Sequence, residues 1–284
     1  MEKHALTPQG AATPARGWRR VRRFVALPLA ALVLSGCTVP NFGASKGATS
    51  SSASVFHLWQ GFSLAAAVIG GFTLLLILWA VIRYRRKSPD AIPAQTQYHL
   101  PLEIIYTVVP ILIVFALFAA TMVVENKEVA NPAAPVTVNV NAFQWGWKFS
   151  YPGSDVVVVG QTTQNPVMVI PVDTNIHVSL TSTDVIHGFY VHDFNFSRYA
   201  LPGVDNTFTL HPVKTGTFFG QCTQLCGLYH SLMYFKVKVV SQADYTAWVA
   251  ANRNPATYAA AVAITNQQLS THAATKYTGT SGEH

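Results

Sequence analysis

The densest chemistry in the chain lies in twelve consecutive residues, Cys222-Thr223-Gln224-Leu225-Cys226-Gly227-Leu228-Tyr229-His230-Ser231-Leu232-Met233. Two thiols, an imidazole and a thioether stand at the spacing C-x3-C-x3-H-x2-M, with Gly227 to relieve the turn. Soft sulfur donors with imidazole suit copper. A mononuclear blue-copper centre needs one thiolate, one Met and two His, but here a second thiolate sits on the same loop. Two thiolates held together can bridge two copper ions, and each ion then needs one imidazole and one weak outer ligand. His230 serves one ion. The other needs a histidine from elsewhere, and the segment Asp184-Val185-Ile186-His187-Gly188-Phe189 supplies His187, read as ending a strand at a Gly-containing turn. A pair that spreads charge over two metals changes little in geometry on reduction, which suits electron transfer.

Two plainer readings compete. Cys222 and Cys226 could form a disulfide in an oxidising compartment, or with two histidines they could hold structural zinc. Met233 is not expected in a zinc site, and a disulfide leaves His230 and Met233 without a role. The binuclear copper site is therefore preferred.

The elements that must position these residues fall into two kinds. Half of the 284 residues are hydrophobic and only 11% are charged. That is too apolar for an ordinary soluble domain and too polar for a polytopic one. The net charge of +7 is uneven: residues 1–37 carry six Lys/Arg against one Glu, and 125–284 carry eight against nine acids. The basic excess sits beside apolar segments, so it is a topology signal and gives no argument for nucleic acid. Residues 1–36 read as a signal peptide. Arg16 to Arg23 precede an apolar run too short to span, which ends in Leu34-Ser35-Gly36-Cys37. That ending resembles a bacterial lipobox, which implies cleavage before Cys37 and acylation of its thiol. Residues 37–54 read as a flexible tether. Residues 55–124 read as a transmembrane hairpin, with helices over about Val55–Tyr84 and Leu102–Val124. The basic cluster Arg83 to Lys87 in the short loop places that loop in the cytoplasm and both ends outside.

From about Pro135 the pattern turns to short β-branched runs: 136–140, 156–159, 167–170, 176–180, 207–210 and 234–240. They predict a Greek-key sandwich or barrel within residues 125–251. Ser241 to Ala251 predicts a closing helix, with Tyr245 and Trp248 on one face. Residues 252–284 read as a poorly ordered tail. The fold class is thus an α+β membrane protein, a two-helix hairpin followed by an all-β domain.

Two helices, a β domain and this loop resemble cytochrome c oxidase subunit II, with its CuA centre in a cupredoxin fold; the resemblance covers about residues 55–250. It implies that Cys222 and Cys226 bridge both coppers. One copper would take His187 and Met233, and the other His230 and the backbone carbonyl of Gln224. The family usually has Glu at that position, whose carboxylate reaches a magnesium or manganese ion shared with the catalytic subunit. Gln224 keeps the carbonyl but lacks the charge a hard cation prefers, which puts that second site in doubt. Gln144-Trp145-Gly146-Trp147 resembles the family's aromatic segment, where the first Trp, here Trp145, accepts the donor's electron; core packing is the plain alternative. Glu103-Ile104-Ile105-Tyr106-Thr107 opens the second helix where the family places a proton-uptake Glu. A carboxylate favoured by the helix dipole is the plain alternative there.

The resemblance implies a copper subunit of a respiratory oxidase in the bacterial cytoplasmic membrane, its β domain outside. The chain would take electrons from cytochrome c and pass them to the catalytic subunit. The alternatives are the matching subunit of a CuA nitric oxide reductase and a non-catalytic copper-binding membrane protein. The absence of C-x-x-C-H excludes a fused c-type haem.

Overall fold

A computed structural model describes residues 41, 43–86, 88, 92, 96–264 and 267. The expected signal peptide, the lipobox and Cys37 lie outside the described residues.

Two long helices open the described chain, α1 over Ser50–Arg83 and α2 over Leu100–Glu128. Each is long and apolar enough to cross a membrane, and none of its most apolar stretch is buried within the chain. A hydrocarbon surround is what such a surface requires. α1 begins five residues before the predicted Val55. Thr49 Oγ1 accepts the Ser52 N–H at 3.2 Å, and Ser52 Oγ accepts the Thr49 N–H at 3.0 Å, a reciprocal cap that fixes the start. α2 is capped in the same spirit. His99 Nδ1 accepts from the Leu102 amide at 3.3 Å, and Glu103 Oε1 accepts from the His99 amide at 2.9 Å.

The tether expected over 37–54 is corrected for its second half. Ala48 is 2% exposed. Its N–H donates to Asp193 O at 2.7 Å and its carbonyl accepts from Val213 N at 2.9 Å. Asn195 Nδ2 donates to the carbonyls of Ser45 and Ser52 at 2.9 and 3.2 Å. The small residues Ser45, Gly47 and Ala48 let this stretch of chain lie against the β domain, and that contact is invisible in local composition.

The β domain has ten strands: β1 Val136–Phe143, β2 Gly146–Tyr151, β3 Val156–Gln161, β4 Val167–Pro171, β5 Ile176–Ser182, β6 His187–Val191, β7 Phe196–Ala200, β8 Asn206–Leu210, β9 Gly216–Cys222 and β10 Tyr234–Val240. They form two five-stranded sheets in the orders β3-β2-β1-β5-β8 and β4-β10-β9-β6-β7. β1 runs parallel to β5 and β10 parallel to β4, and the other pairs are antiparallel. The non-sequential neighbours are Greek-key crossovers, as the strand pattern predicts. The core lies between the sheets. Val138, Val140, Trp147, Phe149 and Tyr151 from one sheet meet Phe189, Val191, Phe235 and Val237 from the other, all fully buried. Phe189 and Phe235 stack at 4.8 Å, and Trp147 lies 5.0 Å from Phe235. Each such ring contributes roughly 1.5–3 kcal/mol by leaving water.

Two helices close the domain, α3 over Gln242–Asn252 and α4 over Pro255–Ile264. Ser241 caps α3 by accepting from Asp244 N at 3.1 Å, and Tyr245 and Trp248 share a face as predicted, their rings 6.1 Å apart. α4 corrects the expectation of a poorly ordered tail for residues 255–264. Lys148 Nζ donates to Ala261 O at 2.9 Å, and Arg253 donates to Asp155 Oδ2 at 3.0 and 3.1 Å.

Candidate metal centre

The donors predicted from the sequence converge at one end of the sandwich. β9 ends at Cys222, and the loop returns through a short 3-10 turn, His230–Leu232, to β10 at Tyr234. The Cys222 amide donates to Met233 O at 3.0 Å, so the ladder between β9 and β10 closes the base of the loop. Cys222 Sγ and Cys226 Sγ stand 3.8 Å apart, well beyond the ~2.05 Å of a disulfide, and both thiols are free. Cys222 Sγ lies 3.9 Å from His187 Nδ1 and 3.3 Å from the Gln224 carbonyl. Cys226 Sγ lies 3.6 Å from His230 Nδ1 and 3.9 Å from Met233 Sδ. All six positions read from the sequence are therefore within one cluster. His187, Cys222, Cys226 and Met233 are buried, while His230 is half-buried.

His187 sits differently from its expected position. It opens β6 and does not end a strand; β5 stops at Ser182 and residues 183–186 make the turn. Gly188 follows because the cysteine loop passes directly over it. A Cβ there would strike Thr223 Oγ1 and lie 2.9 Å from Gln224 N. Thr223 N donates to Gly188 O at 3.1 Å across that approach. Gly227 has φ +116, and a Cβ on it would lie 3.0 Å from the Trp145 ring.

Asp184 is the functional neighbour that residue typing passed over, although D-x-x-H is visible in the chain. Its Oδ1 lies 2.8 Å from His187 Nε2, and its carboxylate accepts from Val185 N and Gln144 N, each at 2.6 Å. Burial works to raise the Asp184 pKa, but these hydrogen bonds, led by that from His187, bring it below the usual range. His187 is its counterpart. Burial lowers its pKa, yet Asp184 and Cys222 together raise it above the ordinary value. With Nε2 tied to Asp184, Nδ1 faces the sulfurs, the orientation a ligating imidazole needs. The two thiols diverge. Burial opposes the Cys222 thiolate, but hydrogen bonds from His187 and from the Gly188 and Gln224 backbone bring it to about 6. Burial and the neighbouring Cys222 charge push Cys226 up to about 12.

The donor set fits a copper pair. Two free cysteine sulfurs lie close enough to share metals, an imidazole flanks each, and a thioether and a carbonyl lie at hand. Two thiols and two imidazoles alone would also suit zinc. Met233 Sδ, buried 3.9 Å from Cys226 Sγ, tips the set toward copper.

Trp145 and Trp147 part company. Trp145 lies in the turn between β1 and β2 and only Trp147 lies in the strand, so core packing, the plain alternative for both, describes Trp147 alone. Trp147 is fully buried, its ring 6.3 Å from that of His187. Trp145 is half-buried, donates Nε1 to the Cys226 carbonyl at 3.1 Å and packs edge-on against Tyr229 at 5.0 Å. In the cysteine loop and the turn before His187, the apolar residues Ile186, Leu225, Leu228, Tyr229 and Leu232 are exposed. Within residues 143–146, 183–188 and 222–233, Asp184 is the only Asp, Glu, Lys or Arg. Glu103 is not brought to this site; it caps α2 at the far end of the hairpin.

Comparison with known proteins agrees with both parts of the chain. Residues 39–123 match the transmembrane domain of cytochrome c oxidase subunit II, and residues 161–240 match its periplasmic domain. A probable cytochrome c oxidase subunit 2 of Nocardia farcinica is 32% identical over 92% of this chain and 89% of the relative. One from Streptomyces avermitilis is 36% identical over 84% and 89%. The crystal structure of the periplasmic domain of subunit II of cytochrome oxidase from Bradyrhizobium japonicum is 32% identical, with a TM-score of 0.40, over 43% of this chain and 96% of that one. With a two-helix membrane hairpin, a periplasmic domain of two packed sheets and a donor cluster that suits copper, the chain belongs to the cytochrome c oxidase subunit II family.

Proposed function

We propose that this subunit takes electrons from cytochrome c through Trp145 and delivers them from a copper pair held by His187, Cys222, Cys226, His230, Met233 and the Gln224 carbonyl. The observation that carries the reading is the hydrogen bond from Trp145 Nε1 to the Cys226 carbonyl. It connects a half-exposed indole to the backbone of Cys226, one of the two cysteines that would hold the copper, in a single contact. When bound, the copper pair supplies one-electron transfer with little geometric change. The protein's part is to hold the donors in place, keep water from the sulfurs and present a port. Asp184 fixes the His187 ring, and the ladder between β9 and β10 fixes Cys222 against Met233.

The port is apolar. Ile186, Leu225, Leu228, Tyr229 and Leu232 give a donor's haem edge a surface without charged groups, so docking by area outweighs docking by steering. The catalytic subunit receives the electron, and the two spans fix this subunit in the bacterial cell membrane beside it. Glu103, half-buried at the cytoplasmic start of α2, would take up protons while it also caps the helix. Cys37 is the proposed lipid anchor.

The test is Trp145→Phe in the assembled oxidase. The expected result is a loss of at least tenfold in the rate of copper reduction by cytochrome c, with two coppers per chain retained. The remaining rate should depend only weakly on ionic strength. Unchanged reduction kinetics would remove Trp145 from the path, and one metal per chain, or zinc, would remove the binuclear ligand set.

A further inference from the structure

The turn between β1 and β2 belongs to one sheet, whereas the cysteine loop and His187 belong to the other. Gln144 in that turn touches both sides of the centre. Its side-chain Nε2 donates to the Cys226 carbonyl at 2.8 Å, the same oxygen that Trp145 Nε1 reaches at 3.1 Å. Its backbone N–H donates to Asp184 Oδ2 at 2.6 Å, and Asp184 Oδ1 holds His187 Nε2 at 2.8 Å. We propose that Gln144 is a positioning residue of the copper centre, setting the distance between the cysteine loop and His187 and the field at the Cys226 carbonyl. This rests on the ligand set proposed above.

The geometry gives the reason. Between Gln224 and Gly227, the Cys226 carbonyl is the point where the described hydrogen bonds tie the loop to the opposite sheet. Gly227 leaves room for that tie, because a Cβ there would lie 3.1 Å from Gln144 Nε2 and 3.0 Å from the Trp145 ring. A carbonyl accepting two hydrogen bonds presents less negative potential to its neighbours than one accepting a single bond. Removing the amide donor leaves the carbonyl dipole less compensated beside Cys226 Sγ, which favours the more positive, oxidised state of whatever the sulfur binds. Among the described residues Gln144 makes no hydrogen bond to a sulfur, so it acts through the carbonyl and through Asp184.

The test is made in the assembled oxidase with Gln144→Met, which keeps the volume and loses the donor. The copper count should remain two per chain. The spin-resonance hyperfine pattern and near-infrared absorption of the centre should change. The electron distribution between copper and haem should shift about fivefold toward the haem, the effect of one ordinary hydrogen bond on an equilibrium. Gln144→Glu, which keeps the shape but offers an acceptor, should shift it further in the same direction, and it repeats the test if the Met variant fails to assemble. A wild-type spectrum and electron distribution in a copper-replete variant would overturn the proposal. So would loss of copper from a properly assembled variant, since Gln144 would then be needed for binding and not for placement. The copper count of the unaltered oxidase tests the ligand set separately.

Discussion

Asp184 Oδ1 lies 2.8 Å from His187 Nε2, behind the imidazole whose Nδ1 stands 3.9 Å from the Cys222 sulfur. A ring held on one nitrogen by a carboxylate presents the other in a fixed direction and is a stronger base for it. Asp184→Asn keeps the shape and removes the charge. The expected outcome is a copper affinity lower by about 10–100-fold, measured by retention against a chelator. In the metal-free chain the sign follows from the depressed Asp184 pKa. Its stabilisation is present above the unfolded carboxylate range and is lost as pH falls through the folded value. The Asn variant should lack that part of the acid transition. Equal chelator resistance in the two proteins would show that the carboxylate does not support the ligand.

The two thiols make a second prediction. Copper needs both as thiolates, and binding displaces whatever protons they hold. With Cys222 at about 6 and Cys226 at about 12, the pair holds one proton between those values and two below the lower one. Loading the metal-free chain at pH 8 should therefore release about one proton from the pair, and at pH 5 about two. His187, whose pKa is raised above the ordinary value, adds to the release at the acid end. Copper affinity falls correspondingly as pH drops. Proton release followed in weak buffer during metal titration reads this directly, and a count that stays flat between pH 8 and 5 would contradict the split.

The copper loop was legible because its ligands are local: five of the six proposed positions lie within twelve residues. The hydrogen bond from Gln144 to Cys226 spans 82 residues and joins opposite sheets, so no spacing rule reports it. Strand prediction succeeded where one face is buried and the other wet, as in β5, where Ile176, Val178 and Leu180 are buried and the residues between them are half-exposed. It failed at β2, where all six residues are buried and the two-residue period disappears. That failure and the misreading of the tail have a common source at Lys148, which faces away from the core yet is covered because it reaches the carbonyl of α4.

Lys148 carries the third prediction. It is 8% exposed, burial lowers its pKa, and its ammonium donates to Ala261 O in α4. A hydrogen bond from a charged donor is stronger than a neutral one. Desolvating the ammonium opposes it. Lys148→Met should therefore separate local from global stability. α4 loses its anchor, and amide exchange over residues 255–264 should quicken by about tenfold or more. The sandwich loses a costly buried charge, so the unfolding midpoint of the domain should hardly move. Hydrogen exchange read by mass spectrometry, alongside a thermal melt, distinguishes the outcomes. A fall in the midpoint with α4 exchange unchanged would mean that Lys148 supports the sheet itself and that Arg253 with Asp155 suffices to hold the helix.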